Sequence, residues 1–115
     1  MKRAEAEAKG RRAENIAAFW LRLHGWRILG QRLRVPAGEV DIIARRGRTL
    51  IFVEVKWRRH ASKLDLAIDH RRLARVVAAA NILAPRYMKA GDDVRIDVML
   101  LAPRRLPRHL VHVWP

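Results

Sequence analysis

Ile16, Phe19, Trp20 and Leu23 recur at i, i+3, i+4 and i+7, with Arg11, Asn15 and Arg22 on the other side. That spacing predicts an amphipathic helix over residues 13–24, capped by Gly25. The charged, Ala-rich residues 1–12 are expected to be its frayed start. Trp26–Val35 alternates loosely and reads as a first strand, and Pro36-Ala37-Gly38 as a turn. Glu39–Arg45 (EVDIIAR) and Thr49–Trp57 (TLIFVEVKW) are rich in β-branched residues, and Arg46-Gly47-Arg48 joins them as a hairpin. The helical period returns from about Asp65 to Ala84, with Leu73, Val76, Val77, Ala80 and Leu83 on the apolar stripe and Arg71, Arg72 and Arg75 off it. Asp65 and Asp69 suit its N-terminal end, where the helix dipole favours acids, and Pro85 stops it. Arg86–Asp92 reads as loop, Asp93–Leu101 as a strand and His109–Trp114 as a short last one. The order α-β-β-β-α-β-β, without repeat or linker, predicts a single α/β domain over residues 1–115, a mixed sheet flanked by helices.

Composition narrows the setting. Half of the 115 residues are hydrophobic, enough for a core, so wholesale disorder is excluded. There is no cysteine, which removes disulfides, thiolate metal sites and thiol nucleophiles. No apolar run approaches the roughly 18 residues that span a bilayer, and the charged N-terminus has no apolar signal core. A cytoplasmic protein with no membrane partner is the expectation. The charge changes the picture most: 25 Lys and Arg face 11 Asp and Glu, a net +14. Such a balance points to a polyanionic partner, with nucleic acid foremost. The bases are spread along the chain and so belong to a folded surface.

Against that background the placement of the acids is the unusual feature. Glu39, Asp41 and Glu54 fall inside strand-like segments. Side chains alternate along a strand, so Glu39 and Asp41 share one face, as do Glu54 and Lys56. Ile51, Phe52, Val53 and Val55 surround Glu54, so that strand looks buried on both faces. A buried carboxylate is tolerated when paired, hydrogen-bonded or bound to a metal. The hairpin would bring Asp41 near Glu54, where their repulsion is relieved by an intervening cation. A hard divalent ion such as Mg2+ suits one or two carboxylates plus phosphate oxygens. The competing reading is a surface Glu54–Lys56 pair, with Asp41 matched to one of the 20 Arg.

Gly38-Glu39-Val40-Asp41-Ile42-Ile43-Ala44 followed by Phe52-Val53-Glu54-Val55-Lys56-Trp57-Arg58 resembles the YraN family of small bacterial proteins. That family in turn resembles the PD-(D/E)xK nucleases, on the branch of the archaeal Holliday junction resolvases. Glu14 in Ala-Glu-Asn-Ile-Ala-Ala, His24-Gly25-Trp26 and Arg95-Ile96-Asp97-Val98 extend the resemblance over most of the chain. It implies a restriction-endonuclease-like core and Mg2+- or Mn2+-dependent hydrolysis of phosphodiester bonds, in DNA more than RNA, with branched or damaged DNA as the substrate. It implies Asp41, Glu54 and the backbone carbonyl of Val55 as metal ligands. Lys56 would position or deprotonate the attacking water, Glu14 would complete the catalytic set, and Glu39 would be an outer-shell acid or an auxiliary ligand. Resolvases of this kind work as dimers, so a homodimer is compatible. The alternative is a non-catalytic nucleic-acid-binding or ribosome-associated protein that keeps the fold.

Arg58, Arg71, Arg72 and Arg75 are candidate phosphate contacts, though each also suits a solvated face. Trp57, beside the acids in sequence and next to Arg58 and Arg59, is the tryptophan expected to touch nucleic acid, whereas Trp20 and Trp26 suit packing. Asp97 is expected to be a structural partner of Arg95 or of a helix arginine. The five histidines show no metal-ligand spacing and are expected to be structural or exposed.

Overall fold

The computed structural model describes residues 2–59 and 69–114. The chain runs α1 (Lys2–Leu23), β1 (Arg27–Val35), β2 (Gly38–Arg46), β3 (Thr49–Trp57), α2 (His70–Leu83), a short 3₁₀ turn (Ala84–Arg86), β4 (Asp93–Leu101) and β5 (Arg108–Leu110). The sheet order is β1-β2-β3-β4-β5. Two hairpins make β1-β2 and β2-β3 antiparallel, and β4-β5 is antiparallel as well. β3 and β4 are parallel. A parallel pair needs a long crossover, and α2 lies within it. This is the mixed α/β sheet with flanking helices that the sequence predicted.

Each face of the sheet carries one helix. Leu50 and Phe52 of β3 join Val40, Ile43, Leu73, Val76, Ala79 and Leu83 under α2. Ile51 and Val53 face the other way and join Ala13, Ala17, Ala18, Leu21, Ile42 and Met99 under α1. The predicted α2 stripe is the buried one, except that Ala79 is buried and Val77 is half-buried. Asp69 is the N-cap of α2, its carboxylate accepting from the Arg71 N–H at 2.9 Å. The expected start of this helix, with Asp65, lies outside the described residues.

The face of α1 differs from the prediction. Ile16, Phe19 and Leu23 are 46, 60 and 64% exposed, while Ala13, Glu14, Ala17, Ala18 and Leu21 are buried. Two adjacent stripes on this helix carry apolar residues, and the alanine stripe wins because small side chains let the helix axis lie close to the sheet. That choice turns Glu14 inward. The regular helix also starts at Lys2, ahead of Ala13, so residues 2–12 are helical. The last strand is shorter than expected: only Arg108–Leu110 pair with β4, and Val111–Trp114 are irregular.

A close approach seats α2 over β2. Gly38 is buried, and a Cβ there would collide with the carbonyl oxygen of Arg75. Backbone atoms of a helix have little freedom to yield, so Gly38→Ala should lower stability by about 1–3 kcal/mol. Urea unfolding should show a reduced midpoint at unchanged slope. An unchanged midpoint would mean that the contact between β2 and α2 is looser than drawn.

Candidate active site

β2 and β3 are paired from the hairpin as far as Ile42↔Val53. Beyond that point the ladder stops, and the Asp41 carboxylate replaces a backbone acceptor by taking the Val55 N–H at 2.7 Å. The strands open there, and the opening exposes the α2-facing side chains of Glu39, Asp41 and Glu54 to a cleft. Together with Arg72, Arg75 and Val76 of α2 these acids line a cavity of about 100 Å3. The hairpin thus brings together the acids that the alternation placed on one face. Glu14 approaches from α1 and is buried, with its Oε1 unpaired by any hydrogen bond.

Cations are distributed unevenly among these acids. Lys56 Nζ and Arg72 Nε each lie 3.4 Å from Glu54 Oε1. Arg34 Nε is 3.4 Å from Glu39, and Arg32 Nε is 3.7 Å from Glu14. Among the described residues Asp41 has no cation partner. Burial pushes its carboxyl up to about 7, helped by the nearby charges of Glu14, Glu54 and Glu39 and opposed by the Val55 N–H. Burial also raises Glu14 above the ordinary carboxylate range, Arg32 working against it. Lys56 is 2% exposed, and its ammonium makes no hydrogen bond of good geometry. Burial lowers its pKa, with Arg72 adding to the effect and Glu54 opposing it.

Among the described residues no three acidic or histidine side chains are already gathered as a metal-binding cluster. The donor set nonetheless suits a hard divalent cation. It has oxygen ligands only, one carboxylate without a counter-charge among the described residues and one buried carboxylate oxygen that accepts no hydrogen bond. Val55 is at the site through its N–H, which holds Asp41.

The arginines divide. Arg72 and Arg75 line the acid cavity. Arg71 is exposed elsewhere on α2, and the Arg58 guanidinium turns back to the carbonyl of Trp57. Trp57 packs with the α1-side core, its ring 5.3 Å from the Lys9 ammonium. Alternation along β3 thus puts it on the face opposite Glu54 and Lys56, despite its nearness in sequence.

Sequence reasoning missed Arg32. It lies in β1 with φ of +55°, a left-handed conformation rare for a side chain this large, and from there it meets Glu14. No sequence signal marks that backbone state in an arginine. The pairing of Asp97 with Arg95 was legible, but its depth was not. Asp97 is fully buried and accepts from Arg95 at 2.8 Å, from the His112 N–H at 3.0 Å and from His109 Nε2 at 2.7 Å. His109 is therefore structural, as expected. Arg45 and Asp92, 2.6 Å apart, pin the loop before β4 to β2.

Comparison with known proteins agrees with this architecture. Residues 13–101 match the model of the uncharacterised protein family UPF0102, the family to which the Gly38–Ala44 and Phe52–Arg58 motifs point. A UPF0102 protein of Sphingopyxis alaskensis is 75% identical over 114 residues, covering 99% of this chain and 98% of its own. One from Rhizorhabdus wittichii is 61% identical, covering 98% and 96%. Among solved structures, a Holliday junction resolvase of Archaeoglobus fulgidus superposes with a TM-score of 0.61 at 22% identity, over 90% of this chain and 72% of that one. That likeness identifies the fold as restriction-endonuclease-like.

Proposed function

We propose that this chain, which belongs to the uncharacterised protein family UPF0102, is a divalent-metal-dependent endonuclease of the PD-(D/E)xK type that hydrolyses phosphodiester bonds in DNA. The observation that carries the reading is the placement of Glu14, Asp41 and Glu54 at one strand opening in a protein of net charge +14. A protein that only bound phosphates would be weakened by buried carboxylates where the phosphates approach. The fold shared with a Holliday junction resolvase supports branched DNA as the substrate, and a two-fold junction would call for a homodimer. Such a substrate fits a cytoplasmic location.

In this reading Asp41, Glu54, Glu14 and the Val55 carbonyl would hold Mg2+ or Mn2+. When bound, the ion supplies charge neutralisation at the scissile phosphate and an acidified water. The chain's own residues do the rest. The Val55 N–H fixes the orientation of Asp41. Glu39 tunes the field at Asp41 from the outer shell. Burial keeps the Lys56 ammonium ready to lose its proton, so its Nζ can hold or release one beside Glu54. Arg72 and Arg75 line the cavity where a phosphate would enter. Arg71, exposed elsewhere on α2, would meet the flanking nucleic acid, while Arg58 and Trp57 turn away from the acids.

Incubation with Mg2+ or Mn2+ and single-stranded, duplex, flap and four-way-junction DNA tests the reading. The wild type should cut at least one of these. Asp41→Ala, Glu54→Ala and Lys56→Ala should each cut at least about 100-fold more slowly. A wild type that cuts nothing, or variants that cut as well as wild type, would overturn it. A second reading, a nucleic-acid-binding or ribosome-associated protein without hydrolysis, draws on the ion pairs already made by Glu14, Glu39 and Glu54. It predicts steeply salt-dependent binding with no cleavage.

A further inference from the structure

A second charged cleft lies on the opposite face of the sheet. It has a volume of about 300 Å3 and is bounded by the end of α1, the start of β1, the end of β2 and the start of β5. Six side chains give it its chemistry: Trp20, His24, Trp26, Arg46, Arg95 and His109. The acid cavity is lined by α2 and this one by α1. Arg46 follows Asp41 by five residues on β2, about 17 Å along the strand.

The groups here are stacked. The Arg46 guanidinium sits 4.3 Å from the Trp26 ring centroid, and Arg95 is 5.7 Å from it. Trp20 and His24 are 4.5 Å apart in a tilted pair. Charge is left over as well. Asp97 neutralises Arg95, but no described acid pairs with Arg46, whose hydrogen bond goes to the His24 carbonyl at 3.0 Å. Trp26 and Arg46 are thus held in place by each other, while the exposed outer edge of Arg46 retains donors. His24 donates Nδ1–H to the Trp20 carbonyl, and no hydrogen bond to a described residue takes up Nε2.

We propose that this cleft is a second nucleic-acid subsite that takes one unpaired nucleotide, its base against the Trp20–His24 pair and its phosphate on Arg46. Flat π surfaces beside an uncompensated guanidinium are what a base and its phosphate need together. An acidic peptide would use the cation but not the rings. The proposal rests on a nucleic-acid partner but not on hydrolysis.

Fluorescence anisotropy in EDTA tests it on the full chain, with a blunt duplex and the same duplex carrying a short single-stranded tail. The wild type should prefer the tailed probe. Trp20→Ala and Arg46→Gln should each lose roughly tenfold on the tailed probe while staying within about twofold on the blunt one. Asp41→Ala should keep the tail preference. If Trp20→Ala fails to fold, Trp20→Leu takes its place. Equal losses on both probes, no loss on either, or no tail preference in the wild type would overturn the proposal. So would displacement by polyglutamate that depends on Arg46 in the absence of any tail preference, since it would assign the cleft to an acidic protein segment. A tail preference in a protein that cuts no DNA upholds the cleft and removes only the hydrolysis.

Discussion

Asp41→Asn is expected to make the metal-free protein more stable, with the gain growing between about pH 4 and pH 7. The folded pKa of Asp41 is raised from 3.8 to about 7. The native state therefore holds a proton that the unfolded chain has already lost, and stability falls as pH rises through this window. A shift of that size corresponds to an upper bound on the order of 4 kcal/mol above pH 7. Asparagine keeps an acceptor for the Val55 N–H and removes the charge that Glu14, Glu54 and Glu39 oppose. Urea unfolding in EDTA at pH 5 and pH 8 should show the variant's advantage opening at the higher pH. Adding Mn2+ at pH 8 should then raise the wild type and leave Asp41→Asn unmoved, because a ligand that binds only the native site stabilises it by mass action. A variant no more stable than wild type at pH 8 would sink the idea that Asp41 is an uncompensated charge.

Asp97→Ala should have the opposite sign. Burial alone would raise the pKa of this carboxyl, but hydrogen bonds from His109, Arg95 and the His112 N–H outweigh it and hold the pKa below the ordinary value. A depressed acid contributes stability that is present above its unfolded pKa and lost as pH falls through the folded one. Its removal leaves the Arg95 guanidinium and two other donors without their acceptor, which costs about 3–5 kcal/mol. The midpoint at pH 7 should drop sharply, and the deficit should shrink as the wild type is titrated below about pH 4. A small, pH-independent loss would show that the three donors find water instead. Asp97 also helps hold the irregular segment after β5 through the His112 N–H, beside the Val113 N–H bond to the Ile96 carbonyl.

The two acids show why the site was only partly legible. Asp41 and Asp97 both sit in strands, both are largely withdrawn from water, and both follow the alternation. Their partners set them apart: Arg95 shares the strand of Asp97, but the other two donors to Asp97 come from the chain after β4. Asp97 draws on β5, whose position depends on the pairing with β4. Asp41 sits where the β2-β3 ladder ends, and no cation among the described residues pairs with it. Arg72 is brought to Glu54 by α2, whose seat over β2 depends on the missing Cβ of Gly38. Arg32 reaches Glu14 only through a left-handed backbone state.

Local pattern was enough to read the order of elements, a hairpin that brings Asp41 near Glu54, the shared face of Glu54 and Lys56, and the basic charge. All of these follow from local period, turn residues and charge. Tertiary structure alone decided which of two apolar stripes on α1 is buried, because helix-to-sheet distance depends on the size of the alanines in contact and not on hydrophobicity alone. That choice turned Glu14 inward and left Ile16, Phe19 and Leu23 outside. It also decided which arginine meets which acid. Side chains from distant segments meet only after the sheet is assembled, so their charges take their meaning from packing.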